Sequence, residues 1–173
     1  MISIIGCKSI NGIIGKNNEL VFKNLKIDMD WFIRYTKNKY VIMGRKTWES
    51  LPKKPLKNRV NIVVTSNKES LSDDCMAMTI DELMDFIKEN NKGYLYAVNE
   101  FVVIGGAKLY KTMIPFADKI FLTTVQAYAD GDTIFPYFDH IKYKSTLLYK
   151  FNEIIDGVST PTIITMYEKY KGV

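Results

Sequence analysis

The sequence predicts a mostly parallel, twisted α/β sheet of about eight strands, flanked by helices and closed by an antiparallel C-terminal edge. Three observations lead there. YVIM (40–43), VNIVVT (60–65) and FVVI (101–104) are short apolar runs of the kind buried on both faces of a parallel sheet. Segments with helical periodicity lie between such runs. Last, KSTLLYKF (144–151) and TIITMYEKY (162–170) are long alternating stretches that suit an antiparallel pair. The 173 residues suit one domain, 1–173, with no repeat or linker to divide it.

Taken in order, MISIIG (1–6) reads as an apolar strand and NGIIGKNN (11–18) as a Gly/Asn-rich loop. Asp28 opens a helical pattern that places Ile27, Trp31, Phe32 and Tyr35 on neighbouring faces. YVIM runs into GRKTWESL, a short helix. VNIVVT is a strand, and CMAM (75–78) is another. Thr79 and Glu82 have the spacing of a capping box, so IDELMDFIKENN opens there as a helix. FVVI meets Gly105 and Gly106, AKLYKTMI (107–114) is a helix stopped near Pro115, and KIFLTTV (119–125) is a strand.

Apolar residues make up 47% and charged residues 25%, which excludes a disordered chain. The start carries no basic leader before a long apolar run, and no stretch reaches the roughly 18 apolar residues of a membrane helix, so a cytosolic protein is expected. Cys7 and Cys75 lie far apart and read as reduced thiols. The net charge is +5, but the basic residues are scattered, with no basic helix and no aromatic-studded RNA motif. An anionic small molecule suits this charge better than nucleic acid. Only Arg34, Arg45 and Arg59 among 24 basic residues are arginines, and a guanidinium grips carboxylate or phosphate in a planar fork that lysine cannot copy.

Open α/β sheets bind ligands at the carboxyl ends of their strands. Three such ends carry Gly44-Arg45-Lys46-Thr47, Thr65-Ser66-Asn67 and Gly105-Gly106-Ala107-Lys108. Backbone donors, hydroxyls and cations at these junctions form a phosphate-binding inventory and point to a dinucleotide. The usual G-x-G-x-x-G fingerprint is absent. His140 is the only histidine and reads as an exposed loop residue, so neither a catalytic triad nor a metal site can be assembled. Asp28 is the unusual carboxylate, set among Ile27, Met29, Trp31 and Phe32. It can cap its helix or act as an acid in an apolar cleft, and the sequence leaves both open.

VIMGRKTWESLP (41–52) closely resembles the signature of the dihydrofolate reductase family. NGIIG with Asn18, NLKIDMDWF (24–32), PLKNRVNIVV (55–64), VIGGAKLY (103–110), IFLTTV (120–125) and GDTIFP (131–136) continue the resemblance in order. Residues 85–100 and the last 35 or so are weakly covered, and the stretch before FVVI is longer than in compact bacterial members. The resemblance implies direct hydride transfer from NADPH to dihydrofolate, giving tetrahydrofolate for one-carbon metabolism and thymidylate synthesis, by a cytoplasmic monomer.

It also implies roles. Asp28 is similar to the acid that hydrogen-bonds the pterin, with Thr123 supporting it. Ile5, Phe32, Leu51, Leu56 and Ile104 would line the pterin and aminobenzoyl pocket, and Arg59 would hold the carboxylate of the glutamate tail. Arg45, Thr65 and Ser66 would take the 2′-phosphate end of NADPH. Gly44, Lys46, Thr47 and the Gly105-Gly106 turn, with Ala107, Lys108 and Leu109 behind it, would take the pyrophosphate. Ile14, Gly15 and Asn18, in the loop that runs to Leu20, would cover the nicotinamide, with Cys7, Ile104 and Tyr110 beside it.

The sequence departs from the family before the acid's helix, where Leu20-Val21-Phe22 replaces a usual Leu-Pro-Trp and Lys23 reads as an insertion. If Phe22 takes the tryptophan's place, an indole donor is lost. Ala107 stands where a third glycine is frequent. Two rival readings are a riboflavin-pathway pyrimidine reductase, which would not need Asp28 and Arg59 together, and a non-catalytic nucleotide-binding module on the same fold.

Overall fold

The structure is a computed structural model that describes residues 1–69, 71, 73–91, 99–170 and 172. Most of the long stretch before FVVI, residues 92–98, falls outside the described residues. Among the described residues, eight strands form one sheet. They are β1 (Ile2–Ser9), β4 (Tyr40–Gly44), β5 (Val60–Val64), β6 (Met76–Met78), β7 (Phe101–Gly105), β8 (Lys119–Val125), β10 (Tyr143–Ile155) and β11 (Val158–Lys169). Their order is β10-β11-β8-β1-β7-β4-β5-β6. Every pairing from β8 to β6 is parallel. Strand β11 pairs antiparallel with both β8 and β10, which is the expected C-terminal edge. Helices α1 (Lys26–Thr36), α2 (Arg45–Ser50), α3 (Ile80–Asn91) and α4 (Ala107–Met113) flank the sheet.

The central strands are apolar throughout because the parallel part of the sheet is covered on both faces. Val41, Ile42 and Met43 of β4 and Val102 and Val103 of β7 are all fully buried. The capping box forms as its spacing predicts. The Thr79 amide donates to Glu82 Oε2 at 2.7 Å, and the Glu82 amide donates to Thr79 Oγ1 at 3.3 Å. A hydrogen bond from Lys68, followed by the Thr79 amide, pulls the exposed Glu82 carboxyl down to about 2.

Three expectations are corrected. The segment 11–18 is not all loop. Residues Ile13–Lys16 form β2, which pairs with β3 (Glu19–Leu20) and with β9 (Thr133–Ile134) in a second, three-stranded sheet. Asn17 and Asn18 both have positive φ, at 53° and 64°, so they make the two-residue turn of a tight hairpin. The glycines and asparagines that suggested a loop are the turn chemistry of that hairpin. The helix expected to open at Asp28 starts at Lys26 instead, with Leu25 as its N-cap residue. Strand β1 also runs past residue 6, because Cys7 to Ser9 continue in register with Thr123 to Val125 of β8.

Candidate active site

The parallel strands deliver their carboxyl ends to one side of the sheet, where the three predicted junctions assemble. Strand β4 lies beside β5 with Gly44 paired to Val64, so Arg45 and Thr65 leave adjacent strands at the same level. A Cβ on Gly44 would lie 3.8 Å from both the Gly105 carbonyl and the Gly106 amide nitrogen. A Cβ on Gly106 would lie 3.3 Å from Thr47 Oγ1, closer than most side chains tolerate. Gly105 has φ +125°, a conformation that suits glycine and few other residues.

Neither α2 nor α4 has a side-chain cap, which leaves their first amides available as donors. Arg45, Lys46, Thr47, Thr65 and Ser66 add cations and hydroxyls around that narrow backbone cradle. This donor set fits the phosphates of a dinucleotide. Lys46 Nζ donates to Asn18 Oδ1 at 3.2 Å, which ties the β2–β3 turn to the cradle. Arg45 Nε lies 3.2 Å from Glu49 Oε1 one helical turn on, both side chains being about half exposed.

Next to the cradle a small open cleft is lined by Cys7, Ile14, Leu20, Val21, Phe22, Lys23, Leu25, Asp28 and Met29. It gathers most of the predicted covering-loop residues and the predicted acid in one place. Phe22 stands in the lining as the departure from the family pattern suggested, and Lys23 follows it, held by Glu19 at 2.6 Å.

Asp28 does not cap its helix. Thr123 of β8 donates its hydroxyl to Asp28 Oδ1 at 2.6 Å. The cap comes from Glu153 of β10, whose carboxylate accepts from the amides of Lys26, Ile27 and Asp28 at 3.1, 2.7 and 3.0 Å. The geometry removes the cap from the two readings left open for Asp28, since Leu25 holds the N-cap position. Burial pushes its carboxyl above the ordinary carboxylate range. The Thr123 hydroxyl opposes that shift, and the Glu153 charge adds to it. Cys7 faces the same region, and its thiol is raised well above its ordinary value, first by burial and then by Asp28 and Glu153.

The apolar half of the predicted site also comes together. Ile5 is in a core cluster with Val102 and Phe121, against which Phe32 and Ile104 pack. Ile104 also packs on the neighbouring cluster of Val41, Met43, Trp48 and Val63, as do Leu51 and Leu56. Arg59 lies over the Phe32 ring, with its guanidinium carbon 5.8 Å from the ring centroid. Its Nε donates to Thr36 Oγ1 at 2.8 Å, and its remaining nitrogens donate to the carbonyls of Lys57 and Ile33. Leu109 and Tyr110 turn into the core. The Tyr110 hydroxyl donates to the Ile5 carbonyl at 2.8 Å, joining the cradle's helix to β1.

Glycine 15 sits in β2 with Asn18 in the turn beyond it, and Asp132 accepts from the Asn17 amide at 2.8 Å. His140 is exposed, its ring tilted against that of Phe138, and it does not line the cleft. Glu153 was missed from the sequence. The available signal was parity, since an acid at 153 shares the inward face of β10 with Phe151.

A dihydrofolate reductase family model matches residues 1–157. The dihydrofolate reductase of Buchnera aphidicola subsp. Baizongia pistaciae is 38% identical over 143 residues, covering 83% of this chain and 82% of the relative. That of Bacillus subtilis is 37% identical over 145 residues, covering 83% and 80%. Among solved structures, dihydrofolate reductase from Enterococcus faecalis complexed with NADP(H) and RAB-propyl superposes with a TM-score of 0.81. It covers 99% of this chain and 97% of its own at 24% identity, which bears on the fold. With the signature strand, the glycine cradle and the half-buried acid all in place, the chain belongs to the dihydrofolate reductase family.

Proposed function

We propose that Asp28, Thr123 and Arg59 carry the substrate side of this family's reaction, the NADPH-dependent reduction of 7,8-dihydrofolate to 5,6,7,8-tetrahydrofolate. One observation supports the assignment above others. Helix α1 bears Asp28 in its first turn and receives Arg59 on the Ile33 carbonyl and the Thr36 hydroxyl in its last. At 1.5 Å per residue the two groups are separated by about 8–12 Å along the axis. A substrate with a hydrogen-bonding ring at one end and a carboxylate at the other suits that spacing. The pyrimidine reductase reading has no use for both groups at once.

Asp28 Oδ1 is held by Thr123, and Oδ2 has no protein partner among the described residues. Oδ2 accepts from the pterin's amino group and ring nitrogen. A carboxylate in this buried place favours the protonated, electron-poor ring, which accepts hydride more readily. Ile5, Phe32, Leu51, Leu56 and Ile104 hold the rings, and Leu20 and Phe22 exclude water from above. Arg59 grips the tail carboxylate in a bidentate fork.

On the other side, Arg45, Thr65 and Ser66 bind the 2′-phosphate. Gly44, Lys46 and Thr47, with Gly105 to Leu109, bind the pyrophosphate. Cys7, Ile14, Gly15, Asn18 and Tyr110 enclose the nicotinamide, which supplies the hydride to carbon 6 of the pterin when bound.

Residues 1–173 act as one catalytic domain. The lysines at 144 and 150 on the edge strand oppose edge-to-edge association, which supports a monomer. Cys7 and Cys75 stand as thiols, which suits the reducing cytosol.

The test is consumption of NADPH in the presence of dihydrofolate by the purified protein, repeated with Asp28→Asn. The wild type turns over. The variant loses most of its rate near neutral pH and regains part of it as solvent protonates the substrate at lower pH. A variant rate within about threefold of wild type at pH 7, or ~0.6 kcal/mol of barrier, removes Asp28 from the reaction.

A further inference from the structure

We propose that Glu153 is a positioning residue for Asp28, fixing the first turn of α1 from strand β10 and setting the charge environment in which the acid works. The inference rests on the reading of Asp28 as the pterin-facing acid. The Glu153 carboxylate accepts three consecutive α1 amides, those of Lys26, Ile27 and Asp28, across 125 to 127 positions of sequence. The residue is 4% exposed, and among the described residues it makes no ion pair.

Capping alone does not require this arrangement. Position 25 is already the extended N-cap residue of α1, and a Ser, Thr, Asp or Asn there caps a helix locally without burying a charge. Leucine occupies it instead. The acceptor comes from another strand, so the start of α1 is tied to the sheet.

The tie has a direction. Strand β11 lies between β8 and β10. Asp28 is held by its side chain to Thr123 on β8 and by its backbone amide to Glu153 on β10. The acid is therefore clamped from both sides of the intervening strand, and its carboxyl cannot swing without breaking one hold. Charge-assisted bonds of this kind are the short, strong ones.

The same carboxylate also acts through space. The titratable groups that face Asp28 are Glu153 from β10, Cys7 from β1 and Tyr110 from α4, with Lys23 across the cleft engaged by Glu19. Glu153 is the anion among the near ones, and its charge helps Asp28 and a ring bound to it keep their shared proton.

The experiment compares wild type with Glu153→Gln and Glu153→Asp in single-turnover hydride transfer from bound NADPH to dihydrofolate, from pH 5 to pH 9, with NADPH affinity and Tm measured alongside. Glutamine keeps an acceptor and removes the charge. The high-pH limb should move to lower pH, with transfer about three- to tenfold slower at pH 8 and near wild type at pH 5.5. Aspartate keeps the charge and shortens the reach. Its rate should fall at all pH values with the limb unmoved.

A lower Tm in both variants with unchanged rates and an unchanged limb overturns the proposal, because a merely structural cap behaves that way. If Glu153→Gln does not fold, Glu153→Asp decides: a slower rate at unchanged NADPH affinity supports positioning, and a wild-type rate overturns it. Inactive Asp28→Asn with silent Glu153 variants rejects this inference alone, whereas active Asp28→Asn rejects the reading of the acid itself.

Discussion

Thr123 and Asp28 meet at 2.6 Å although 95 positions separate them in the chain. The hydroxyl stabilises a carboxylate that burial otherwise disfavours, and burial is the larger influence. Asp28 therefore sits in a place suited to chemistry at some cost to the fold.

That cost can be measured. Burial raises the folded-state proton affinity of Asp28 above its ordinary value of 3.8. The stability contributed by the protonated form is full below that value and is lost as pH rises through the raised one. Asparagine has no charge to desolvate and still accepts from Thr123. Asp28→Asn is expected to melt about 2–4 °C higher than wild type at pH 8, the change that ~1 kcal/mol produces in a domain of this size. The gain should vanish at about pH 3, below the ordinary value of 3.8. Equal Tm differences at both pH values would falsify the link to ionisation.

Arg59 is held in advance by Thr36, Ile33 and Lys57, so little freedom is lost when it meets a carboxylate. Arg59→Ala should weaken dihydrofolate binding by about 1.5–3 kcal/mol, the range for charged hydrogen bonds. Arg59→Lys should recover little, because an ammonium cannot span these acceptors and a carboxylate together. A pterin lacking the glutamate tail should bind wild type and Arg59→Ala alike. Equal losses for both ligands would remove the tail assignment.

Cofactor choice should rest on Arg45. Its Nε is engaged by Glu49, and the 2′-phosphate is the ligand proposed for the rest of the guanidinium. Arg45→Ala should raise the KM for NADPH and leave NADH turnover nearly unchanged. The ratio of the two kcat/KM values should fall by tenfold or more, or ~1.4 kcal/mol. Glu49→Gln should not lower that ratio. An unchanged ratio in Arg45→Ala passes the phosphate to another cation, with Lys46 the first to test.

Gly131 is confined more tightly than the glycines of the cradle. A Cβ there would sit 2.4 Å from Ile13 Cγ2 and 2.5 Å from the Gly15 carbonyl oxygen. The carbonyl belongs to β2, which pairs with β9 through Gly15 and Thr133, so the backbone cannot yield without parting those strands. Gly131→Ala should destabilise locally by about 1–3 kcal/mol and slow hydride transfer, since the covering loop hangs from β2. Unaltered transfer kinetics would detach the small sheet from the reaction.

The parts of this structure legible in the sequence were those governed by local physics. Val41 to Met43, Ile62 to Val64 and Val102 to Ile104 are strands because parallel central strands are apolar throughout, and Thr79 with Glu82 marks a helix start by spacing alone. The site residues that followed motif order came together: Asp28 with Thr123, Ile5 with Phe32 and Ile104, Gly44 with Gly105. What stayed hidden depends on distant partners. Ile13 to Lys16 is a strand because Glu19 and Leu20 pair with it on one side and the distant Thr133 and Ile134 on the other, and Asn17-Asn18 looks the same in a loop as in a hairpin turn. Glu153 carries no local sign that its partners are amides more than a hundred residues earlier.

The position of β1 bears on how the chain is made. Strand β1 is synthesised before both of its neighbours, β7 and β8, whose residues begin at Phe101 and Lys119. During translation, ISIIGCKS therefore waits with both edges open until β7 has followed, and with one open until β8 has. Loop closure over such distances is slow, and unpaired apolar strands invite pairing with other chains. A nascent chain of this protein should depend on chaperone cover until β8 is released, and its yield should fall more steeply with expression temperature than its equilibrium stability implies.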